Sequence, residues 1–321
     1  MVKSPKVSVC IPVYNRPDYV AEAIESVLGQ TFTDFELIVT DNCSTNNTPE
    51  VIKSYATKDN RIKYYRNEYN MIIASNINRA MLIARGEYIK PLFSDDKLSP
   101  RCLEVFVDKM DKHTNVSLIT SFSQYIGKSD YIKGESRFPG IGELDGKTYQ
   151  KDILVHGNWP GSPSTGMFRR KDLHIGLFQH TWYWLGDMEM WMRLLGIGNI
   201  YVVPEILSYY RIHGEQESTF QDVNFRHIKE RLMLANIAFQ CPFVYGDYTK
   251  AEQKKINRHL LKRLVREGIS TKGIKSKVDM IKIGFSWLSY NRIVFCLILL
   301  KNLQRCFRKT SFTKSILSYV A

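Results

Sequence analysis

Along the first hundred residues the apolar positions switch repeatedly between two periods. Residues 7–13, VSVCIPV, form a short β-branched apolar run that predicts a buried strand. From Pro17 the apolar side chains recur as Val20, Ala23, Ile24, Val27 and Leu28, the spacing of one helix face, and the pattern stops near Gly29. A second strand is expected over FELIVT (35–40), then a turn-rich loop over 41–50, a helix over EVIKSYA, and a third strand over RIKYYR (61–66). Ser75 is read as the cap of a helix running through Arg85, and GEYIKPLF (86–93) as the fourth strand. Strands alternating with helices at this spacing make βαβ units, hence an α/β fold with a mainly parallel sheet flanked by helices.

Beyond residue 100 the alternation loosens. Strands are expected at 116–122 and 163–169, a helix from about Asp187 to Leu195, and two more strands over NIYVVP (199–204) and ILSYYRIH (206–213). From 222 onward the pattern turns helical, so the chain is divided into a domain at 1–220 and a helical C-terminal region at 221–321. The run IVFCLILL (293–300) is too short for a membrane span, which needs about 20 residues. It suits either a buried core helix or one lying in a membrane interface.

Charge sharpens this division. Residues 250–321 carry 17 Lys and Arg against 3 Asp and Glu, a balance of +14, while the whole chain stands at +13. The first 249 residues are therefore close to neutral, and the basic tail is the part that would meet an anionic membrane surface or polymer. The six cysteines include no CxxC pair, which argues against a zinc site or a disulfide framework. The N-terminal stretch has no long apolar region of signal-peptide type. The expectation is a cytoplasmic protein, peripheral on the inner face of the membrane. No zinc finger, RNP motif or other nucleic-acid reader is present, so nucleic acid is not expected as a partner.

The chemistry gathers where strands end. YIKPLFSDDKLSP (88–100) closes an apolar strand on two adjacent acids, Asp95 and Asp96. In open α/β sheets ligands bind beyond the carboxyl ends of the strands. There the first, second and fourth strands would present Pro12-Val13-Tyr14-Asn15-Arg16, Asp41-Asn42 and Ser94-Asp95-Asp96. Adjacent carboxylates repel unless a cation or hydrogen-bond donors offset the repulsion. Mg²⁺ and Mn²⁺ choose carboxylate and phosphate oxygens, so the pair can hold a metal that also grips a diphosphate. The plainer reading makes Asp95 the cap of a following helix and leaves Asp96 in solvent.

Several ordered motifs then resemble the family 2 glycosyltransferases, inverting enzymes of the A-type, nucleotide-diphospho-sugar transferase fold. VSVCIPVYNRPDYVAEAIESVLGQTFTDFELIVTDNCSTNNT is similar to the family's opening strand, its Pro-x-Tyr-Asn-Arg turn and the strand leading to an acidic turn. ARGEYIKPLFSDDKLSP is similar to the Ala-x-Gly-Glu-Tyr-Ile run into the metal-binding acids, and LGDMEMWMRLLGIGNIYVVPEILSYYRIHGEQES to the catalytic helix and the Tyr-Arg-x-His ending. The likeness covers roughly residues 5–220. It departs from the family in four places. Phe93 stands where many members have a further Asp, and Asn42-Cys43 where the acidic turn is usually Asp-Gly. Ile72 replaces a common glycine, and Gly186 the first acid of a Glu-Asp pair. The Gln-x-x-Arg-Trp motif of processive synthases is absent, which implies addition of a single sugar.

By this resemblance Asp96 is the direct ligand of Mn²⁺ or Mg²⁺. Asp95 contacts the ribose or the metal's water shell, and His213 is a third ligand or a diphosphate contact. Pro12, Tyr14 and Asn15 form the floor under the nucleotide, Asp41 meets its base or ribose, and Arg79 reaches a phosphate. Asp187 is the catalytic base, for which a carboxylate of ordinary pKa near 4 is suitably ionised at neutral pH. Each has a plainer structural alternative: a turn for Asp41, a helix cap for Asp187, a solvated helix face for Arg79, core packing for Tyr14. Arg211 supports phosphates or pairs with an acid, Glu189 is structural, and Trp159, Trp182 and Trp184 either face the acceptor or are buried. The implied partners are a nucleotide-diphosphate sugar, UDP-linked as the family's common case, and a saccharide or lipid-linked saccharide acceptor. Two other readings stay open. One is a non-catalytic nucleotide-sugar-binding module, suggested by Phe93 and Gly186. The other is a sugar nucleotidyltransferase, although PVYNRPDY lacks the glycines of a phosphate loop.

Overall fold

The first apolar run is buried along its whole length because the strand it forms, β1 (Val7–Val13), has neighbours on both sides. In the computed structural model, which describes residues 4–138, 140–214, 226–270 and Ile283, β1 runs parallel to β2 (Phe35–Asp41) and to β4 (Tyr88–Pro91). β3 (Ile62–Arg66) extends the parallel set beyond β2. A strand covered on both faces has no reason to alternate, and β1 and β2 do not. Helix α1 (Pro17–Leu28) lays Val20, Ala23, Ile24 and Val27 against this layer, with Pro17 in its first turn, where a missing N–H costs nothing. α2 (Thr48–Ala56) and α3 (Ile73–Ile83) complete the crossovers.

The strand order β3-β2-β1-β4 means that the chain builds outward from β1 in one direction, then returns to its other side. That reversal makes the gap between the carboxyl ends of β1 and β4 the topological switch point of the sheet. Two prolines mark it. The β1–β4 register ends at Cys10 opposite Pro91, and Pro12 lies just beyond the last rung. A proline cannot donate to a ladder, so the strands part there.

The other half of the sheet is mixed. β9 (Gly166–Arg169) pairs antiparallel with both β4 and β6 (Val116–Ile126). β10 (Asn199–Arg211) runs parallel to β6 and pairs antiparallel with the two-residue β5 (Lys97–Leu98). β7 (Ile132–Ser136) and β8 (Gly142–Leu144) add antiparallel edges on β6 and β10. α4 (Cys102–Lys112), α5 (Gly146–His156) and α6 (Gly186–Ile197) flank the sheet. The result is the α/β sheet flanked by helices that the alternation predicts.

Several local expectations are corrected. The two strands expected over 199–204 and 206–213 are one strand that ends at Arg211, and the exposed Pro204-Glu205 is accommodated at a bulge between Val203 and Ile206. The strand expected at 163–169 begins with a 3₁₀ turn over Pro163–Thr165 and is extended only from Gly166. Ser75 does not cap α3, whose N-cap is Ile72; its hydroxyl meets His180 Nδ1 at 3.3 Å instead. The fourth strand, expected over 86–93, is confined to Tyr88–Pro91, with a bend at Gly86-Glu87 before it and a turn at Ser94-Asp95 beyond it.

The chain divides into two compact units, Met1–Phe220 and Gln221–Ala321. The second contains α7 (Arg226–Gln240), the single-turn α8 (Pro242–Tyr245) and α9 (Lys250–Ser270). Thr249 and Glu252 cap α9 reciprocally: the Glu252 N–H donates to Thr249 Oγ1, and the Thr249 N–H to Glu252 Oε2. Among the described residues no helix is long and apolar enough to cross a membrane. The run at 293–300 lies outside the described residues.

Gly86 shows how closely the motif ARGEYIK is packed. A Cβ built there would stand 2.5 Å from the Ser8 nitrogen and 2.6 Å from the Val7 carbonyl carbon, both backbone atoms that cannot yield. Gly86→Ala should therefore destabilise the first unit by about 1–3 kcal/mol, the usual cost of overpacking. A urea unfolding curve identical to wild type would contradict that.

Candidate active site

The acid pair sits at the switch point. Asp96 is buried, with a relative exposure of 1%. Its Oδ1 accepts the Arg211 backbone N–H at 2.9 Å, and among the described residues its Oδ2 is buried with no hydrogen-bond partner. Burial first and the charge of Asp95 second push its carboxyl up to about 8; the Ser164 hydroxyl, the Arg211 N–H and the Lys90 ammonium offset only part of this. The plainer reading of this pair is overturned. Asp96 is the buried acid, and α4 starts at Cys102 with no side-chain cap.

Asp95 accepts a hydrogen bond from, or donates one to, the His213 ring, Oδ2 to Nε2 at 3.0 Å. That ring packs on Tyr19 at 4.9 Å between centroids, and the Arg211 guanidinium lies over the same tyrosine at 5.1 Å. Arg211 is fully buried and binds the acid tip to two other segments, α1 and the 127–130 turn. Its Nε donates to the Asp95 carbonyl, Nη1 to the carbonyls of Gly127 and Lys128, and Nη2 to Glu22 Oε2 at 2.5 Å. Asp130 Oδ1 stands 2.8 Å from Nη1, and Lys97 bonds Asp130 and lies 3.5 Å from Glu22. Of the two roles considered for Arg211, pairing with acids is the one its contacts fill.

Asp95, Asp96 and His213 are thus brought together, but not as a closed cage. Among the described residues no group of three His, Cys, Asp or Glu side chains is disposed to hold a metal ion alone, which corrects the expectation of a three-residue ligand set. The His213 ring is turned onto Asp95. Hard cations that bind phosphates keep waters and substrate oxygens in their shell and need only one or two carboxylates. The buried, unpartnered Asp96 Oδ2 beside a second carboxylate fits such an ion.

On the β2 side the expected nucleotide contacts Asp41, Asn15 and Arg79 are engaged with neighbouring protein groups. Asp41 is fully buried; its Oδ1 accepts the Ser44 N–H and its Oδ2 the Tyr64 hydroxyl, with Arg66 at 3.5 Å. Its carboxylate builds the turn, as the plainer alternative has it. Cys43 takes the glycine's place there with φ 62°, so the turn keeps its left-handed residue. Asn15, at φ 52°, braces the same loop through Ser44 and Thr45. Pro12 is buried at the end of β1, and Tyr14 projects beyond it, 40% exposed. Arg79 is not on a solvated face: it donates to the Arg66 carbonyl and to Asn67 Oδ1. Asn42, Asn67 and Asn76 are joined side chain to side chain, and Asn42 also holds Asn70 and Met71. Ile72 has φ −63°, a geometry that needs no glycine.

Asp187 lies in the first turn of α6, where the cap position is Leu185. Its Oδ2 accepts from Asn158 Nδ2 at 2.7 Å, and Asn158 also donates to the Gly161 carbonyl. Trp191, fully buried, donates Nε1–H to that same carbonyl. Three residues on, Ser164 Oγ accepts the Phe93 N–H, and the Ser164 carbonyl accepts from Lys90 Nζ at 2.5 Å. The segment 158–165 therefore ties the carboxylate of α6 to the acid tip of β4. At Gly186 a Cβ would meet only Trp182 Cβ, at 3.8 Å, so packing does not exclude an acid there. Glu189 is buried and paired with Arg193 at 2.7 Å, a structural role. Trp182 is buried and offers no face to a sugar, while Trp159 and Trp184 are half-buried.

Lys90, Ser164, Asn158, Glu22 and Tyr19 were not legible as site residues. Lys90 had a signal, a charge inside the buried run YIKPLF. Burial lowers its ammonium to about 8, against the opposing pull of Asp96. Ser164 and Asn158 reach the site only through the course of a long loop, which leaves no local pattern.

An open sheet with paired acids at its switch point defines a nucleotide-sugar transferase type of crevice. The family model for glycosyl transferase family 2 matches residues 8–177, and the chain belongs to that family. It is similar to an uncharacterized glycosyltransferase, MJ1057, of Methanocaldococcus jannaschii: 33% identical over 215 residues, covering 65% of this chain and 71% of that one. It is also similar to WcaA of Escherichia coli K12, a putative colanic acid biosynthesis glycosyl transferase, at 28% identity over 70% of this chain and 79% of that one. Among solved structures, Staphylococcus aureus TarS 1–349 in complex with UDP-GlcNAc aligns with a TM-score of 0.68 at 21% identity. The alignment covers 87% of this chain and 79% of that one, and this likeness concerns the fold.

The Asp96 carboxyl gives a pH test. Its folded-state value lies above the ordinary 3.8, so in the metal-free protein it favours the fold at acid pH, and that contribution is lost between about 3.8 and about 8. A divalent cation held at the pair would compete with the proton, so any thermal stabilisation by Mn²⁺ with UDP that runs through Asp96 should grow from pH 6 to pH 8 and level off above. A shift independent of pH over that range would count against cation binding at Asp96.

Proposed function

We propose that this glycosyltransferase is a metal-dependent, inverting, non-processive enzyme. It moves one sugar from a nucleotide-diphosphate donor, UDP-linked, to a hydroxyl of a saccharide or lipid-linked saccharide in cell-surface polysaccharide synthesis. The observation that carries the reading is the buried Asp96 oxygen left unpartnered beside Asp95 at the switch point. The UDP-GlcNAc complex of TarS and the colanic acid role in WcaA's name support the donor and pathway class.

In this reading Asp96 and Asp95 hold Mn²⁺ or Mg²⁺, with His213 orienting Asp95. The ion's contribution is Lewis-acid stabilisation of the leaving diphosphate. Tyr14, projecting from the end of β1, supplies an aromatic face to the nucleotide. Asp187 accepts the acceptor hydroxyl's proton. Asn158 fixes Oδ2 of that carboxylate, so its aim depends on the same 158–165 segment that touches Phe93. Inversion then needs no covalent intermediate, because the acceptor oxygen attacks opposite the leaving diphosphate. The helical C-terminal region meets an anionic membrane surface, where a lipid-linked acceptor would be found.

Two variants test this. Asp187→Asn should reduce transfer at least about 1000-fold while the thermal shift with UDP-sugar and Mn²⁺ persists. Lost binding would mark Asp187 as structural. Asp96→Ala should abolish both transfer and the Mn²⁺-dependent shift; retained metal-dependent binding would remove the metal role. A screen of UDP-, GDP-, dTDP- and CMP-sugars identifies the base, and binding without any turnover would favour the non-catalytic module.

A further inference from the structure

Between α7 and α9 the chain turns through four consecutive exposed residues, Cys241, Pro242, Phe243 and Val244. Phe243 has a relative exposure of 104%: its ring touches nothing that shields it. The turn beneath is held in shape. Tyr245 and Tyr248 are buried, Phe239 and Tyr248 stack edge to face at 5.3 Å, and the Gly246 N–H, at φ 74°, closes on the Pro242 carbonyl. An apolar tip on an ordered base is unlike the polar turn a solvated helix connection needs.

The charge next to it is one-sided. On α9 the exposed side chains among the described residues are Lys250, Ala251, Lys254, Lys255, Arg258, His259, Lys262 and Arg266. Six carry positive charge and none is acidic. Lys254, Arg258, Lys262 and Arg266 recur every fourth residue, so they follow one side of the helix, while Ile256, Leu260, Leu261, Leu264 and Val265 are buried. Glu252 is engaged in the cap with Thr249, and among the described residues of the 241–250 turn the one exposed acid is Asp247.

We infer that the α8 turn and the cationic side of α9 form a docking surface for an anionic lipid bilayer, with Phe243 entering the interface. The inference rests on the membrane-surface reading above and assigns it to residues. A soluble polyanion would be met by the cations alone and gives no reason for an exposed Phe243. A bilayer interface takes both, an aromatic at headgroup depth and basic side chains on the phosphates.

The test is partition of the full chain onto vesicles of phosphatidylcholine with 30% phosphatidylglycerol, against pure phosphatidylcholine. Wild type should prefer the anionic vesicles roughly tenfold or more, and the preference should fall with salt. Failure of wild type to bind would remove the membrane reading and this inference together. Phe243→Ser should weaken partition roughly fivefold, and Lys254→Gln with Arg258→Gln and Lys262→Gln roughly tenfold or more, without change in the circular dichroism spectrum. Wild-type binding that neither variant alters would leave the membrane reading standing and overturn this assignment. Insensitivity to Phe243→Ser with loss in the triple variant, and equal capture by soluble polyphosphate, would make the surface a polyanion site and also overturn it. As a gain of signal, Phe243→Trp should show quenching by brominated lipid beyond that of the unsubstituted chain; no added quenching would refute insertion of the tip.

Discussion

Two adjacent carboxylates cannot both be ionised in a dry crevice without compensation, and the catalytic unit is arranged around that constraint. The sheet parts at Pro12 and Pro91 to open the crevice, and the buried Asp96 reaches it with one oxygen committed and one unpartnered. Protein donors satisfy part of the charge. The Arg211 N–H, the Ser164 hydroxyl and the distant pull of Lys90 lower the cost without removing it. What remains is a local excess of negative character that a hard cation and its phosphate ligands can relieve together. A site fully compensated by protein groups would gain less from a bound cation.

The two sides of the crevice are built differently. On the β2 side, buried amides and Asp41 lock the turn into a rigid wall before any ligand arrives. Such a wall contributes mainly shape and backbone groups, since its side chains are engaged with one another. On the α6 side, the Asp187 Oδ2 is held by Asn158 of the 158–165 loop, which Trp191 anchors through the Gly161 carbonyl. Geometry there is set by how that loop packs. Through Ser164 the same loop also touches Phe93 and Lys90, so the position of Asp187 and that of the acid tip are coupled.

Much of this was legible in the chain. Long apolar runs and one clear helical period gave β1, α1, β2 and β4 to within a residue or two, and the acid tip declared itself because charges rarely end a buried strand. The errors share a cause. A cap at Ser75 and a break at Pro204 follow from local chemistry, and tertiary packing decides each otherwise. Pro204 is tolerated because a bulge absorbs it, and of the two alternatives for Trp182 the structure shows the buried one. Arg79 and Asn15 carry chemistry that suits a ligand, yet their hydrogen bonds go to neighbouring loops. Residues such as Ser164 and Asn158 had no signal at all, because their role exists only once distant segments meet.

Arg211 has a consequence for the order of assembly. It joins Glu22, Asp95 and the 127–130 turn across separations in sequence of up to 189 residues. A chain emerging from the ribosome completes β1 through β4, with their hydrophobic layer, long before this guanidinium exists. Until β10 is made and inserted beside β6, the acidic tip lacks its main clamp. Whatever ligand the acid tip receives, its cradle is complete only after β10 has been synthesised and inserted.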